Sequence, residues 1–215
     1  GISDAFLAEA ISHPFSAEQN MDKVKLLSVG RVTGRKGIAE VIKALGFLKD
    51  SHDFEYHIAG RIADRSYYQE CLSLAVACGI EENVVFHGMI PERKLHELYQ
   101  HSHVFLLTPS IRSQGKDFEG FGTVYLEAGA YGLAAVGSES GGAAEAVCEG
   151  ETGFKVASPV KSREIAEKLE LLLNDPALQY EFGRKARERA TGEFTWKRLV
   201  KKLYDEEQSV IKESQ

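Results

Sequence analysis

Cysteine is scarce in this 215-residue chain, tryptophan occurs once, and basic residues fall short of acidic ones. Cys71, Cys78 and Cys148 are an odd set without a CxxC pair. That excludes a disulfide framework and a structural zinc site of ordinary spacing, and it fits a reducing cytoplasm. No stretch approaches the roughly 18 apolar residues that a spanning helix needs. Gly1–Ala10 has no basic region of the kind that opens a signal peptide. With 26 Lys and Arg against 32 Asp and Glu, the net charge is −6, the wrong sign for a protein whose main partner is nucleic acid. Asp-x-Asp is also missing, so a carboxylate-held magnesium carrying a diphosphate has no evident seat. The chain has no initiator methionine and opens with Gly1-Ile2-Ser3-Asp4, as a piece of a longer protein would.

What remains is an ordinary globular composition, 43% hydrophobic and 27% charged, enough for one full-sized domain with a real core. Short β-rich runs recur at Lys25–Val29, Phe54–Ala59, Asn83–Phe86, Val104–Thr108, Ala134–Gly137 and Gly153–Val156. Between them lie helical apolar spacings, such as Ile38, Val41, Ile42 and Leu45. This alternation predicts βαβ units and a parallel sheet of about six strands covered on both faces. The last third carries helix patterns only, at Glu164–Asn174, Pro176–Thr191 and Thr195–Ile211, with Asp175 as a cap and Gly192 as a stop. The reading divides the chain into a connecting segment over residues 1–20, an α/β domain over 21–193 and a terminal helix over 194–215. Pro109–Phe118 is the one long polar loop, and it follows a strand end, where open α/β sheets bind ligands.

Several motifs fail on spacing. Gly30 to Gly37 is not a Walker A loop, because its glycines are wrongly spaced and Gly37 stands where a magnesium-binding hydroxyl belongs. A dinucleotide GxGxxG is likewise missing from this turn. His96-Glu97 is followed by His101, one residue too late for a zinc pair on a helix; His101 and His103 read as solvated or capping.

Three glycine turns follow strands. Gly30-Arg31 and Lys36-Gly37 set two cations near a helix start, a seat for a diphosphate or simply a solvated basic turn. Asp117-Phe118-Glu119-Gly120-Phe121-Gly122-Thr123 leads into a helix over Val124–Tyr131 and leaves amides approachable. Glu127 follows Glu119 by eight residues and sits among Leu126, Ala128, Gly129 and Ala130. A carboxylate in so apolar a setting needs partners. Two such carboxylates could each accept hydrogen bonds from sugar-like hydroxyls. The third turn, Ser138 to Glu145, carries little weight by itself.

The order Gly-Arg-x4-Lys-Gly, Pro109-Ser110, Glu119-Gly-Phe-Gly-x4-Glu127-Ala, Gly141-Gly-x2-Glu145 and Gly150-x2-Gly153 resembles the donor-binding half of GT-B retaining glycosyltransferases, specifically glycosyltransferase family 4. The resemblance runs from about Lys25 to the C-terminus. It implies a Rossmann-like, doubly wound sheet with extra C-terminal helices that binds a nucleotide-diphosphate sugar, with UDP favoured over GDP, and needs no cofactor or metal. Arg31 and Lys36 would neutralise the diphosphate, and Glu119, acting with them in catalysis, would hold the transferred sugar. Gly120, Phe121, Gly122 and Thr123 would approach the sugar or the phosphates, and Glu127 would take the ribose hydroxyls. Gly30, Gly60 and Arg61 would line the nucleotide pocket, with Met89 and Ile90 seating the base.

The same resemblance implies a glycan or lipid-linked acceptor, bound by an N-terminal domain that this chain lacks, and a cytoplasmic enzyme of polysaccharide synthesis whose donor half alone is inactive. Leu133-Ala134-Ala135-Val136 departs from the family's Pro-Val-Val. A non-catalytic nucleotide-sugar module and another GT-B enzyme, such as an epimerase or an inverting transferase, are the rival readings. Arg184, Lys185, Arg187, Arg189, Lys197, Arg198, Lys201 and Lys202 outnumber Glu188 and Glu193 near the C-terminus. They suit a docked helix with a solvated basic face or, less simply, peripheral contact with the inner face of an anionic membrane.

Overall fold

The computed structural model describes residues 2–13, 23–109 and 122–196, together with 198, 200, 201, 204 and 205. Six strands, β1 (Val24–Val29), β2 (Phe54–Ala59), β3 (Val84–Gly88), β4 (Val104–Leu106), β5 (Ala134–Ser138) and β6 (Gly153–Val156), form one parallel sheet in the order β3-β2-β1-β4-β5-β6. The helices are α1 (Asp4–Ser12), α2 (Ile38–Gly46), α3 (Arg65–Cys78), α4 (Glu92–Gln100), α5 (Thr123–Ala130), α6 (Ala143–Ala146), α7 (Ser162–Asn174) and α8 (Pro176–Glu193). The six predicted strands and the Rossmann-like class are thus borne out.

Neighbouring residues of the central strands serve opposite faces, which is why their sequences are almost wholly apolar. Leu26, Tyr56, Val104 and Val136 belong to a core under α2, α3 and α7, with Ile42, Cys71 and Leu169. Leu27, Ala59, Phe105 and Ala135 belong to a second core with Phe6, Tyr99, Leu126 and Ala143, from α1, α4, α5 and α6. Ser28 of β1 is buried and shares a hydrogen bond of 2.6 Å with the Tyr56 hydroxyl while donating to the Leu106 carbonyl. A buried hydroxyl must be satisfied, and here it ties β2 and β4 to β1.

Short polar side chains start the helices as the sequence suggests. Ser3 Oγ accepts from the Phe6 amide, Asp64 Oδ1 from Tyr67 and Asp175 Oδ1 from Leu178, with Pro176 in the first turn of α8. Gly192 does not stop α8, which runs on to Glu193. An interior glycine costs only about 1 kcal/mol, and the chain beyond it is held: the Ile2 amide donates to the Phe194 carbonyl, and Arg189 lies 4.7 Å over the Phe194 ring. His103 also departs from expectation. It is buried, and its Nδ1 accepts the Lys25 amide hydrogen, whereas His101 is exposed against the Glu97 carbonyl at the end of α4.

Within the segment read as a connection, α1 packs against the domain. Phe6 lies 4.5 Å from the His96 ring and meets Tyr99 and Tyr131 edge-on at 5.9 and 6.0 Å. Arg187 donates to the carbonyls of Ala10, Ile11 and His13, closing the C-terminal end of α1. The basic stretch is largely engaged at its start: Arg184 pairs with Glu181 and Glu188, Lys185 with Glu181, and Arg189 donates to the Glu145 and Ala146 carbonyls. Lys197 and Lys202 lie outside the described residues. Among the described residues no helix is long and apolar enough to cross a membrane.

Phe6→Ala is expected to lower unfolding free energy by about 3–5 kcal/mol, the usual cost of emptying a buried phenylalanine site. A fall in the urea midpoint at unchanged m-value is the measurement.

Candidate functional site

The sheet changes direction between β1 and β4: β2 and β3 extend one way from β1, while β4, β5 and β6 extend the other. In open α/β sheets the crevice outside the carboxyl ends at such a point is the ligand site. The loop after β1, residues 30–37, and the start of α5 border this crevice, because α5 follows β4.

Backbones approach closely there. A Cβ on Gly60 would sit 2.0 Å from the Gly30 carbonyl oxygen, and one on Gly37 would sit 2.1 Å from that of Thr108. Only glycine permits both contacts, which pin the loop after β1 to the ends of β2 and β4. Residues 30–32 then run beside residues 60–62: Val29 pairs with Ala59, Val32 with Ile62, and the Val32 amide donates to the Arg61 carbonyl at 2.9 Å. With that constant offset Arg31 stands opposite Arg61. Both are exposed, and among the described residues neither has an ion-pair partner.

Gly34–Lys36 form one 3-10 turn, and Gly37, in the left-handed region at φ 73°, passes the chain into α2. Lys36 is buried, with 7% of its surface exposed, and its Nζ lies 3.6 Å from where a Gly30 Cβ would be. Its stem thus packs along the glycine at the end of the central strand, which keeps the apolar part of the side chain covered. The start of α2 is not wholly open, because the Ala39 amide donates to the Tyr67 hydroxyl at 2.8 Å. Thr33 Oγ1, in the same loop, is buried with no hydrogen-bond partner among the described residues.

On the β4 side Gly122, at φ 68°, precedes α5, and among the described residues no side chain caps it. The early amides of α5 carry the positive end of the helix dipole. Tyr125 anchors this turn by donating to the Leu107 carbonyl, and Ser138 Oγ donates to the Pro109 carbonyl at 2.6 Å, joining the ends of β4 and β5. Thr123 is exposed at the first helical position. At the far side of β2, Gly88 turns at φ 64° into Met89, 75% exposed, and Ile90, which leans on the second core.

Glu127 is half-buried one turn into α5, and the Tyr99 hydroxyl of α4 donates to its Oε2 at 2.9 Å. Burial raises the Glu127 carboxyl above the ordinary value, a rise that the Tyr99 hydrogen bond and His96 partly offset. Tyr99 was not legible as a site residue. It lies 28 residues from Glu127 on another helix, and no spacing rule links the two; the only signal was the apolar setting of Glu127, which required some partner.

Of the residues singled out in the sequence, Gly30, Arg31, Lys36, Gly60, Arg61, Met89, Ile90, Gly122, Thr123 and Glu127 all lie at or just beyond strand ends or in the first turns of α5. Glu119, Gly120 and Phe121 lie outside the described residues, as does the loop over 110–118. Among the described residues no group of three or more His, Cys, Asp or Glu could hold a metal ion.

A family model described as glycosyl transferases group 1 matches residues 11–189. The chain is 29% identical over 184 residues to a GDP-mannose-dependent alpha-(1-6)-phosphatidylinositol monomannoside mannosyltransferase of Mycobacterium tuberculosis, covering 86% of this chain and 47% of the relative. The chain therefore spans about half the length of that protein. Its fold is similar to the C-terminal domain of a glycosyl transferase group 1 family protein from Francisella tularensis, at TM-score 0.71 and 24% identity, covering 80% of this chain and 87% of that one. It is also similar in fold to Anabaena HepE, solved in complex with UDP and glucose, at TM-score 0.75 and 22% identity, covering 87% of this chain and 49% of that one.

The buried carboxylate has a consequence for stability. Its carboxyl is raised above the unfolded value of 4.5, so between the two values the folded state holds the extra proton. Stability is therefore lost as pH rises through that window. Glu127→Gln, which keeps an acceptor for Tyr99, is expected to raise Tm at pH 7, with the gain disappearing as pH falls below 4.5. Melting curves of both proteins from pH 4 to pH 8 measure it.

Proposed function

Because the chain belongs to the group 1 glycosyl transferases, we propose that it is the donor half of a retaining, metal-independent hexosyltransferase that takes a nucleotide-diphosphate sugar. The acceptor, a glycan or lipid-linked sugar, is held by an N-terminal domain that this chain does not include. The observation that carries the reading is the reversal of strand order between β1 and β4, the point outside which open α/β sheets bind ligands. On the β1 side stand Lys36, packed along Gly30, and the exposed Arg31. On the β4 side stands the start of α5, at Gly122.

As the bond between the anomeric carbon and the diphosphate oxygen breaks, its electron pair moves to the leaving oxygen. Preorganised positive groups meeting that growing charge lower the barrier in proportion to how well they are aimed beforehand. Lys36 and Arg31 supply full charges, and the α5 amides add hydrogen bonds and a favourable dipole. The anomeric carbon becomes oxocarbenium-like, as in glycoside hydrolysis. Glu119 is assigned to the hydroxyls of the transferred sugar, which fixes the ring while that charge develops. Arg61 adds positive potential beside Arg31. Glu127 accepts from the ribose hydroxyls, and Met89 and Ile90 offer an apolar face for the base. Without the second half to close over the donor and exclude water, this chain alone binds the nucleotide but turns over little.

UDP is the favoured nucleotide and GDP the second; the similar Anabaena and mycobacterial proteins are named with UDP and with GDP-mannose. Calorimetric titration of the chain with each nucleotide is the test. Binding of at least one with Kd below about 1 mM is expected, the range where roughly −4 kcal/mol is gained. No heat from either at that concentration contradicts the proposal.

A further inference from the structure

The geometry points to Tyr99 as the positioning residue that holds Glu127 for the ribose hydroxyls, and so as a determinant of selectivity for ribonucleotides over 2′-deoxyribonucleotides. This rests on the assignment of Glu127 to the ribose made above.

Tyr99 is fully buried, and its ring is fixed from several sides. Tyr131 stacks on it at 5.6 Å with an interplanar angle of 10°, Phe6 meets it edge-on at 5.9 Å, and Phe105 lies 6.4 Å away. Tyr131 is itself held, through a 2.6 Å hydrogen bond between its hydroxyl and His96 Nδ1. A ring held in this way fixes where its hydroxyl oxygen stands, and from there the hydroxyl donates to Glu127 Oε2 at 2.9 Å. Burial and the nearby Glu127 charge hold the phenol protonated, so it acts as the donor.

Glu127 is half-buried on α5 with three rotatable side-chain bonds, and without a partner its carboxylate would sample several rotamers. With Oε2 engaged by Tyr99, Oε1 and the remaining lone pair of Oε2 are left to accept further hydrogen bonds. That is the arrangement that two vicinal hydroxyls require, because each must find an acceptor at a set spacing. Freezing the carboxylate before the ligand arrives removes an ordering cost from binding. The helix α1 contributes through Phe6, which closes the outer edge of the aromatic stack.

The experiment is a double-mutant cycle on UDP affinity, with UDP and 2′-deoxy-UDP titrated into the 215-residue chain and its variants Tyr99→Phe, Glu127→Gln and the two combined. Tyr99→Phe retains the stacked ring and removes only the hydroxyl. It is expected to weaken UDP binding about fivefold to tenfold, within the range of one ordinary hydrogen bond, because the effect on the ligand is indirect. It should also lower the preference for UDP over 2′-deoxy-UDP, and the combined variant should be no weaker than Glu127→Gln alone. Additive losses, with the 2′-hydroxyl preference unchanged in Tyr99→Phe, would mean that Tyr99 only supports the fold and would overturn the proposal. Wild-type affinity in Glu127→Gln is a different failure, because it removes the ribose assignment itself whatever Tyr99 does.

Discussion

A lysine stem laid along a glycine at the end of the central strand is the contact on which the site depends. The Lys36 stem lies along Gly30 at van der Waals distance, and the loop that carries it is clamped by two backbone approaches, Gly60 to Gly30 and Gly37 to Thr108. Each approach is closer than any Cβ tolerates. Together they set where the cations of the first loop stand relative to α5, across the reversal of the sheet. The rest of the architecture, with its two apolar cores and the hydroxyl ties of Ser28 and Ser138, keeps those strand ends in register.

The two walls of the crevice differ in kind. The β1 side offers full charge on a clamped loop, whereas the α5 side offers dipoles at a helix start. A diphosphate needs both, full charge to neutralise it and directed donors to orient it. The positive potential is stronger than the motif alone suggests, because parallel register sets Arg61 opposite Arg31. Away from the diphosphate, Glu127 is a carboxylate whose burial works against the folded state. Such a cost at a position proposed to hold the ligand is the usual stability–activity trade-off.

Much of this could be read from the residues. The strand runs were legible because strands buried on both faces leave continuous apolar stretches such as Leu26-Leu27 and Phe105-Leu106. The strand-end glycines were legible because they break those stretches. The need of Glu127 for a partner followed from Leu126, Ala128 and Gly129 around it. The identity of that partner did not, since Tyr99 arrives from another helix and only packing brings the two together. The opposition of Arg31 and Arg61 was hidden for a similar reason: register between strands is not written in either strand alone. Gly192 misled because glycine marks a helix end only when tertiary contacts do not carry the helix past it, and here Phe194 and Ile2 hold the chain beyond. His103 looked solvated but is claimed by the Lys25 amide of the neighbouring strand.

The most direct measurement compares UDP with uridine in the unaltered chain and in Arg31→Ala and Lys36→Ala. Two charge-assisted contacts and a helix start acting on one diphosphate predict that UDP binds roughly a hundredfold or more tighter than uridine. Each substitution should remove about tenfold or more of that difference while leaving uridine binding unchanged. Equal affinity for UDP and uridine, or an advantage for UDP that survives both substitutions, would contradict the convergence of these groups on the diphosphate.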